Sequence, residues 1–221
     1  MKTLLLAFTA LFSIVNPLSG AFIFFGATQG LDDRGRAHLS RWVAIYAFGL
    51  VTASLYVGAY VLEFFGISIP VLKVAGGIVI AMSGWRMLTG PDATEERRTQ
   101  TTSVIKDNAS ARRLAFYPFT MPLTTGPGTI SVAISVGAQR PEGFGERWVG
   151  FVAQTVLAVA LLALTVYLFY RYSARLAQAI GATGTTIIVR LSAFLLFAIG
   201  IQVLWNGAAQ LLESVGRSVA G

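Results

Sequence analysis

Long apolar stretches separated by shorter polar segments dominate the pattern of this chain. Six stretches of about 20 residues are each long enough for a helix to cross a hydrocarbon core about 30 Å thick. They cover residues 4–28, 42–64, 67–89, 114–138, 149–170 and 187–212. The pattern therefore predicts an all-α polytopic membrane protein with six transmembrane helices.

The polar segment 90–113, which is mixed in charge, divides the chain into two parts of three stretches each. Similar residues recur in the two parts. Arg41-Trp42-Val43 opens the second stretch, and Arg147-Trp148-Val149 opens the fifth. Residues 16–29 in the first stretch resemble residues 126–139 in the fourth, at an offset of 110. In the third and sixth stretches, Lys73 aligns with Arg190 at an offset of 117. We predict one transmembrane domain, 1–221, made of a first repeat (1–89), a polar loop (90–113) and a second repeat (114–221).

Because each repeat has an odd number of spans, the second repeat enters the membrane from the opposite side and the repeats are inverted. The basic residues are distributed unequally between the two sides, with eleven on the side of the central loop and four on the side of the termini. The positive-inside rule then places the central loop in the cytoplasm and both termini outside. The predicted location is the cytoplasmic (inner) membrane of a bacterium or archaeon.

The composition agrees with a lipid environment and argues against several classes of function. The chain is 55% apolar and 12% charged, with a mean hydropathy of +0.67, and its acidic residues all lie between the apolar stretches or at their ends. It has no cysteine and one histidine, and its net charge of +7 comes from basic residues in loops, so neither a disulfide framework nor nucleic-acid binding is expected. No phosphate-binding loop or hydrolytic triad is present, so we expect no cofactor and no enzyme activity.

Two of the apolar stretches are interrupted by proline and glycine. Asn16-Pro17 lies in the middle of the first stretch, and Pro122, Gly126, Pro127 and Gly128 lie within the fourth. Proline removes an amide donor and disfavours helix at the preceding residue, so both spans should break there. Broken backbone at membrane depth, at matching positions of two repeats, marks a transporter site. The alternative is a pair of proline kinks absorbed by neighbouring helices.

Half-helices that begin near the membrane midplane direct free amides and positive dipole ends inward, which suits a carboxylate. Lys73 and Arg190 could each bind the substrate carboxylate or lock a gate by bonding exposed carbonyls of the opposite repeat; the alternative is that their side chains extend to the membrane surface. The candidate substrate-binding residues are Asn16, Pro17, Ser19, Gly20, Thr124, Thr125, Gly126, Pro127, Gly128, Thr129, Ser131, Lys73 and Arg190.

The polar residues around the breaks are short hydrogen-bonding side chains, which suits a small zwitterionic solute. No acidic residue lies deep in a span, so Na⁺ is favoured over a proton carried by a carboxylate as the coupling ion. Small residues on several spans allow helix association within the chain or in a homo-oligomer.

Three motifs resemble the MarC family, also known as small neutral amino acid transporters of the NAAT type. They are NPLSG in the first span, FGISIPVLKVAGGIVI (65–80) in the third and MPLTTGPGTIS (121–131) in the fourth. The resemblance covers essentially the whole chain and implies a six-span inner-membrane protein. The usual family pattern has glycine directly after NPL, where this chain has Ser19, and often has arginine at the position of Lys73.

Three functional hypotheses remain open at this level. The first is a secondary transporter or exporter of small neutral solutes such as glycine, alanine or serine, working by alternating access around the broken helices. The second is a multidrug-type efflux protein, which would have a wider cavity lined by large apolar and aromatic side chains. The third is a non-transporting membrane scaffold, which would tolerate substitutions at the breaks.

Overall fold

The computed structural model describes residues 1–89, 112–141, 143 and 145–220, and all of the regular secondary structure in these ranges is helical. Within these ranges we name eight helices in chain order. They are α1 (Lys2–Val15), α2 (Pro17–Ala27), α3 (Asp33–Phe64), α4 (Ile69–Thr89), α5 (Ala115–Thr124), α6 (Pro127–Gly137), α7 (Glu146–Arg171) and α8 (Ser173–Ala220). The predicted central loop lies outside the described residues except for Arg112 and Arg113.

Five of the predicted spans are helices long and apolar enough to cross a membrane, with α1 and α2 counted together as one of them. The fourth predicted span differs, because it consists of the irregular α5 and the short apolar α6 of 11 residues. Pro118 and Pro122 interrupt α5, and Tyr117 and Met121 have extended backbone conformations inside it. Since proline cannot donate a backbone hydrogen bond, a regular α-helix cannot run through this segment.

Two helices extend beyond the apolar stretches that predicted them. Helix α3 begins nine residues before residue 42 because the Asp32 side chain accepts a hydrogen bond from the Gly35 amide (2.8 Å) and caps a polar first turn. Helix α8 begins at Ser173 and is interrupted at Gly181, whose φ of 77° is in the region that favours glycine. Hydropathy detects only the apolar part of such helices.

The helices pack in two central pairs, α3 against α7 and α4 along α8, with the broken helices filling the space between them. Helix α1 packs on α7 and α5 packs on α3, while α2 packs on α8 and α6 packs on α4. We call the end of the bundle that holds Lys2, Lys73 and Glu146 the terminus end. The opposite end, which holds Arg34 and Arg112, is the loop end.

The α4–α8 pair has an intimate backbone contact made by four glycines. Gly77 and Gly84 of α4 face the backbone of α8 near Leu204 and Phe197, and Gly200 and Gly207 of α8 face the backbone of α4 near Ala81 and Val74. Glycine allows this approach because a Cβ at any of the four would collide with backbone atoms.

These contacts repeat after a fixed offset in the sequence. Gly77 corresponds to Gly200 and Gly84 to Gly207, and their contact partners correspond in the same way, so the offset is 123 residues. These contacts do not follow the offset of 117 that Lys73 and Arg190 suggest in the sequence.

The interior of the bundle is apolar and closely packed, while many large apolar side chains are exposed. Leu11, Phe24 and Tyr170 belong to one continuous buried cluster, whereas Phe194 and Leu195 of α8 are each more than half exposed. A surface of this kind is expected to contact lipid, since apolar side chains on the outside of long apolar helices match hydrocarbon.

Candidate functional site

The first break is formed by Asn16, which ends α1 and caps α2. Its backbone is left-handed (φ 47°, ψ 64°), a conformation that asparagine tolerates better than most residues. Its side-chain oxygen accepts a hydrogen bond from the Ser19 amide (3.4 Å), and its side-chain nitrogen donates to the Ser192 carbonyl of α8 (3.5 Å). Pro17 follows at the first helical position, where a missing amide hydrogen has no cost. The break predicted at Asn16-Pro17 is confirmed.

The second break has the same plan but a different cap. Gly126 is extended (φ −77°, ψ 176°), Pro127 again occupies the first helical position, and α6 has the same length as α2, 11 residues. Glycine has no side chain with which to cap the Gly128 and Thr129 amides, and no side chain caps this helix. The positive end of α6 is therefore the less satisfied of the two half-helix N-termini.

Three threonine hydroxyls donate hydrogen bonds to backbone carbonyls in and beside the irregular segment that leads into the second break. Thr120 donates to the Ala115 carbonyl (2.7 Å), Thr124 to the Phe119 carbonyl (2.7 Å), and Thr129 to the Thr124 carbonyl (3.5 Å). Each bond reaches a carbonyl five residues earlier. The hydroxyl protons of the candidates Thr124 and Thr129 are thus used by the backbone, which leaves only their lone pairs for a ligand.

Two buried hydroxyls beside the breaks have no hydrogen-bond partner in the part of the chain that the structure describes, namely Ser19 Oγ in the first turn of α2 and Thr125 Oγ1 next to Gly126. Both side chains are almost completely inaccessible. Buried polar atoms normally find a partner, and leaving one without a partner costs about 1–3 kcal/mol. Each break thus has one buried hydroxyl whose hydrogen-bonding capacity is not used by the described residues.

Ser131 and Gly128 are the residues through which α6 packs closely against α4. The Ser131 hydroxyl donates to the Leu72 carbonyl (3.0 Å), and Gly76 lies directly against the Ser131 side chain. Gly128 faces the side chain of Ile80 at a distance that no Cβ could occupy. Both candidates therefore have packing roles at the second break.

Tyr170, which the sequence analysis did not single out, joins the two breaks. Its hydroxyl hydrogen bonds to the Thr124 hydroxyl (2.9 Å), and its ring stacks on Phe24 with centroids 4.7 Å apart. A Cβ on Gly20 would lie 2.6 Å from the same hydroxyl, so Gly20 leaves the space that Tyr170 occupies. Phe119 adds an edge contact to Phe24 at 5.0 Å. No signal in the sequence distinguishes Tyr170 from other aromatic residues at span ends.

Lys73 and Arg190 lie toward opposite ends of the α4–α8 pair, and no hydrogen bond joins either of them to a break residue within the described part of the chain. The Lys73 ammonium donates to the Gln210 side-chain oxygen (3.1 Å) and lines a cavity of about 340 Å³ at the terminus end. Arg190 is exposed on α8 and is absent from the lining of that cavity.

Two further cavities lie within the described residues. One of about 810 Å³ at the terminus end is lined by Tyr56, Tyr60, Trp148 and Phe151, among others, and one of about 530 Å³ lies beside Arg112 at the loop end. None of these three cavities is lined by a described residue of either break.

The long apolar helices, the lipid-matched surface and the breaks define a polytopic integral membrane protein. The profile described as MarC family integral membrane protein matches residues 1–212, and the chain belongs to this family.

Several curated relatives are similar over almost their whole length. The inner membrane protein MarC of Salmonella typhimurium is 32% identical over 215 residues, covering 96% of this chain and 97% of the relative. The proteins of the same name from Citrobacter koseri and Escherichia coli O139:H28 are 32% and 31% identical, with the same coverage. No solved structure matches the chain. The predicted family is confirmed, and so is the prediction of an integral protein of the inner membrane.

Proposed function

We propose that this protein is a secondary transporter or exporter of small neutral solutes, with glycine, alanine and serine as candidate substrates. It works by alternating access around the two helix breaks. The observation that carries this proposal is the pair of buried hydroxyls without partners, Ser19 and Thr125, each beside the N-terminus of a half-helix. Two hydroxyls and an uncapped helix N-terminus offer a donor-rich environment for a carboxylate.

The proposal includes six membrane crossings arranged as two inverted three-helix repeats. In this arrangement α1 to α4 of the first repeat are the counterparts of α5 to α8 of the second. Its support is that contacts between the repeats occur in matching pairs. Helix α1 packs on α7 and its counterpart α5 packs on α3, while α2 packs on α8 and its counterpart α6 packs on α4. The half-helices α2 and α6 begin 110 residues apart and have equal length. Two repeats of this kind can exchange conformations, which is the usual basis of alternating access.

Orientation and coupling are further parts of the proposal. We propose that the loop end is cytoplasmic and the terminus end outside, which the excess of arginine and lysine at the loop end supports. Since no carboxylate lies deep in a span, Na⁺ is the coupling ion that we propose.

The experiment is uptake and counterflow of radiolabelled glycine, alanine and serine in proteoliposomes, with and without a sodium gradient. Ser19→Ala and Thr125→Val each remove one hydroxyl and keep the buried volume nearly unchanged. Ser173→Ala and Thr52→Val are matched controls because they remove buried hydroxyls that also have no partner among the described residues but belong to α8 and α3, outside the two break segments. We expect saturable flux that falls at least tenfold in the first two variants and stays within twofold in the controls.

A flux that is equally insensitive to all four substitutions would contradict a site at the breaks. Absence of flux for every amino acid under every gradient would contradict the small-solute function itself and favour the scaffold hypothesis.

A second candidate function is efflux of aromatic amphiphiles, and the cavity of about 810 Å³ favours it. Tyr56, Tyr60, Trp148 and Phe151 line this cavity, and the Arg140 guanidinium lies over the Tyr60 ring at 4.5 Å. An aromatic anion would match this lining. Tyr60→Ala should then reduce drug resistance of expressing cells and leave alanine flux unchanged.

A further inference from the structure

Tyr170 is the largest side chain that is completely buried in the described part of the chain. It is the second-last residue of α7, and its hydroxyl reaches both breaks. A Cβ on Gly20 of α2 would lie 2.6 Å from this hydroxyl, and the Thr124 hydroxyl at the end of α5 lies 2.9 Å from it. Gly20 follows Ser19 in the chain, and Thr124 precedes Thr125. The Tyr170 hydroxyl therefore lies against the chain neighbours of both hydroxyls to which we assign substrate binding.

The hydrogen bond between Tyr170 and Thr124 has a defined direction. The Thr124 hydroxyl donates its single proton to the Phe119 carbonyl (2.7 Å), so the Tyr170 hydroxyl is the donor and Thr124 the acceptor. The Tyr170 ring is held as well, because it stacks on Phe24 at 4.7 Å and Phe24 makes an edge contact with Phe119 at 5.0 Å. Both the ring and the hydroxyl are thus fixed, and Tyr170 forms a wall between the breaks.

This wall leaves little room on the side of α2. A Cβ added to Gly20 would lie 2.6 Å from the Tyr170 hydroxyl and 3.2 Å and 3.3 Å from two ring carbons, so a methyl group does not fit there without a shift. Because protein interiors are close-packed, a buried ring with contacts on several sides is costly to displace. A solute bound to Ser19 and Thr125 would lie against Tyr170, and each carbon added to its side chain would have to displace the hydroxyl or the ring.

We propose that Tyr170 determines the size of the substrate at the breaks, because its hydroxyl and ring exclude side chains larger than those of alanine and serine. The proposal deepens the proposed transport function and rests on it as far as transport is concerned. The restriction on binding can be measured independently of transport. One methylene group in a closely fitting pocket changes affinity about tenfold or more, so the effect of the wall is measurable.

The test is equilibrium binding of radiolabelled alanine to the full-length protein in nanodiscs, with unlabelled 2-aminobutyrate, norvaline and leucine as competitors. In this order the competitors extend the side chain of alanine by successive carbons. We expect the wild-type protein to bind 2-aminobutyrate about tenfold more weakly than alanine, and norvaline and leucine more weakly still. The measured quantity is a ratio of two affinities in one preparation, so a variant that folds in lower yield still gives its true ratio.

Two substitutions separate the hydroxyl from the ring. Tyr170→Phe removes only the hydroxyl and should bring 2-aminobutyrate within about threefold of alanine, while norvaline should remain excluded. Tyr170→Leu also removes the ring and should bring norvaline into the same range.

Tyr46→Phe and Tyr46→Leu are the matched controls. Tyr46 is a partly buried tyrosine of α3, outside the two break segments, and its ring contacts Trp42 at 5.5 Å and Phe116 at 5.7 Å. Its substitutions therefore remove the same groups from an aromatic cluster of the bundle, and both should keep the wild-type ratios.

The outcomes separate the role of Tyr170 from the transport function. Ratios that are the same in the wild type and both Tyr170 variants overturn this role even if the wild-type protein transports alanine. Ratios that change equally in the Tyr46 variants also overturn it, because the effect would then come from general loosening of the bundle.

Absence of alanine binding overturns the role of Tyr170 as well. Ratios that shift only in the Tyr170 variants, in a protein that shows no flux in proteoliposomes, support the role of Tyr170 in binding and overturn the transport function.

Discussion

The contact between Gly20 and Tyr170 gives the sharpest prediction about how the two breaks are held together. In Gly20→Ala, the new Cβ would lie 2.6 Å from the Tyr170 hydroxyl and 3.2 Å and 3.3 Å from two ring carbons. Overpacking of this kind costs about 1–3 kcal/mol, and the higher helix propensity of alanine returns up to about 1 kcal/mol. We expect a net loss of about 1–2 kcal/mol in the free energy of unfolding.

A double-mutant cycle isolates this contact. Tyr170→Phe removes the hydroxyl at a cost of about 1 kcal/mol, because Thr124 keeps its bond to the Phe119 carbonyl and is not left without a partner. In that background the closest clash is gone, so Gly20→Ala should cost about 1–2 kcal/mol less than in the wild type. The measurement is reversible unfolding by SDS in mixed micelles.

Gly49→Ala is the control for the cycle, because a Cβ on Gly49 of α3 would meet no atom within 4 Å. It should leave the free energy of unfolding unchanged or raise it slightly. If the effects of Gly20→Ala and Tyr170→Phe are additive, or if Gly20→Ala stabilises the protein, then the close approach of α2 to Tyr170 is not a feature of the folded state.

Three further predictions concern the helix pair, the first break and the orientation. Gly77→Val should destabilise the α4–α8 contact by about 3 kcal/mol or abolish folding, since its Cβ meets the α8 backbone, whereas Gly49→Val should express normally. Asn16→Ala should lower the free energy of unfolding by about 1 kcal/mol through loss of its cap, measured by the same SDS titration. The chain contains no cysteine, so a single introduced cysteine reports the side of the membrane on which it lies. Glu146→Cys should react with an impermeant thiol reagent on intact cells, and Arg34→Cys should react only after permeabilisation. The reverse pattern would contradict the proposed orientation.

The two breaks were predictable because proline acts through local covalent chemistry. Pro17 and Pro127 lack an amide hydrogen and restrict the preceding residue, and these effects do not depend on the rest of the fold. The internal similarity of residues 16–29 and 126–139 also gave the register of the half-helices, which begin 110 residues apart. The offset of 117 suggested by Lys73 and Arg190 differs from the offset of 123 between the glycine contacts of α4 and α8, because those contacts depend on how the two helices pack.

The sequence by itself determined the membrane environment of this protein, its all-helical class, its family and the positions of its helix breaks, because hydropathy, span length and proline are local properties of the chain. Only the three-dimensional structure decided which hydroxyls beside the breaks are without partners among the described residues, since the irregular backbone brings Thr124 and Thr129 to carbonyls five residues earlier while Ser19 and Thr125 meet none. It also placed Tyr170 between the breaks and Lys73 with Glu213 in one cavity. Those neighbours are far apart along the chain, and packing alone brings them together.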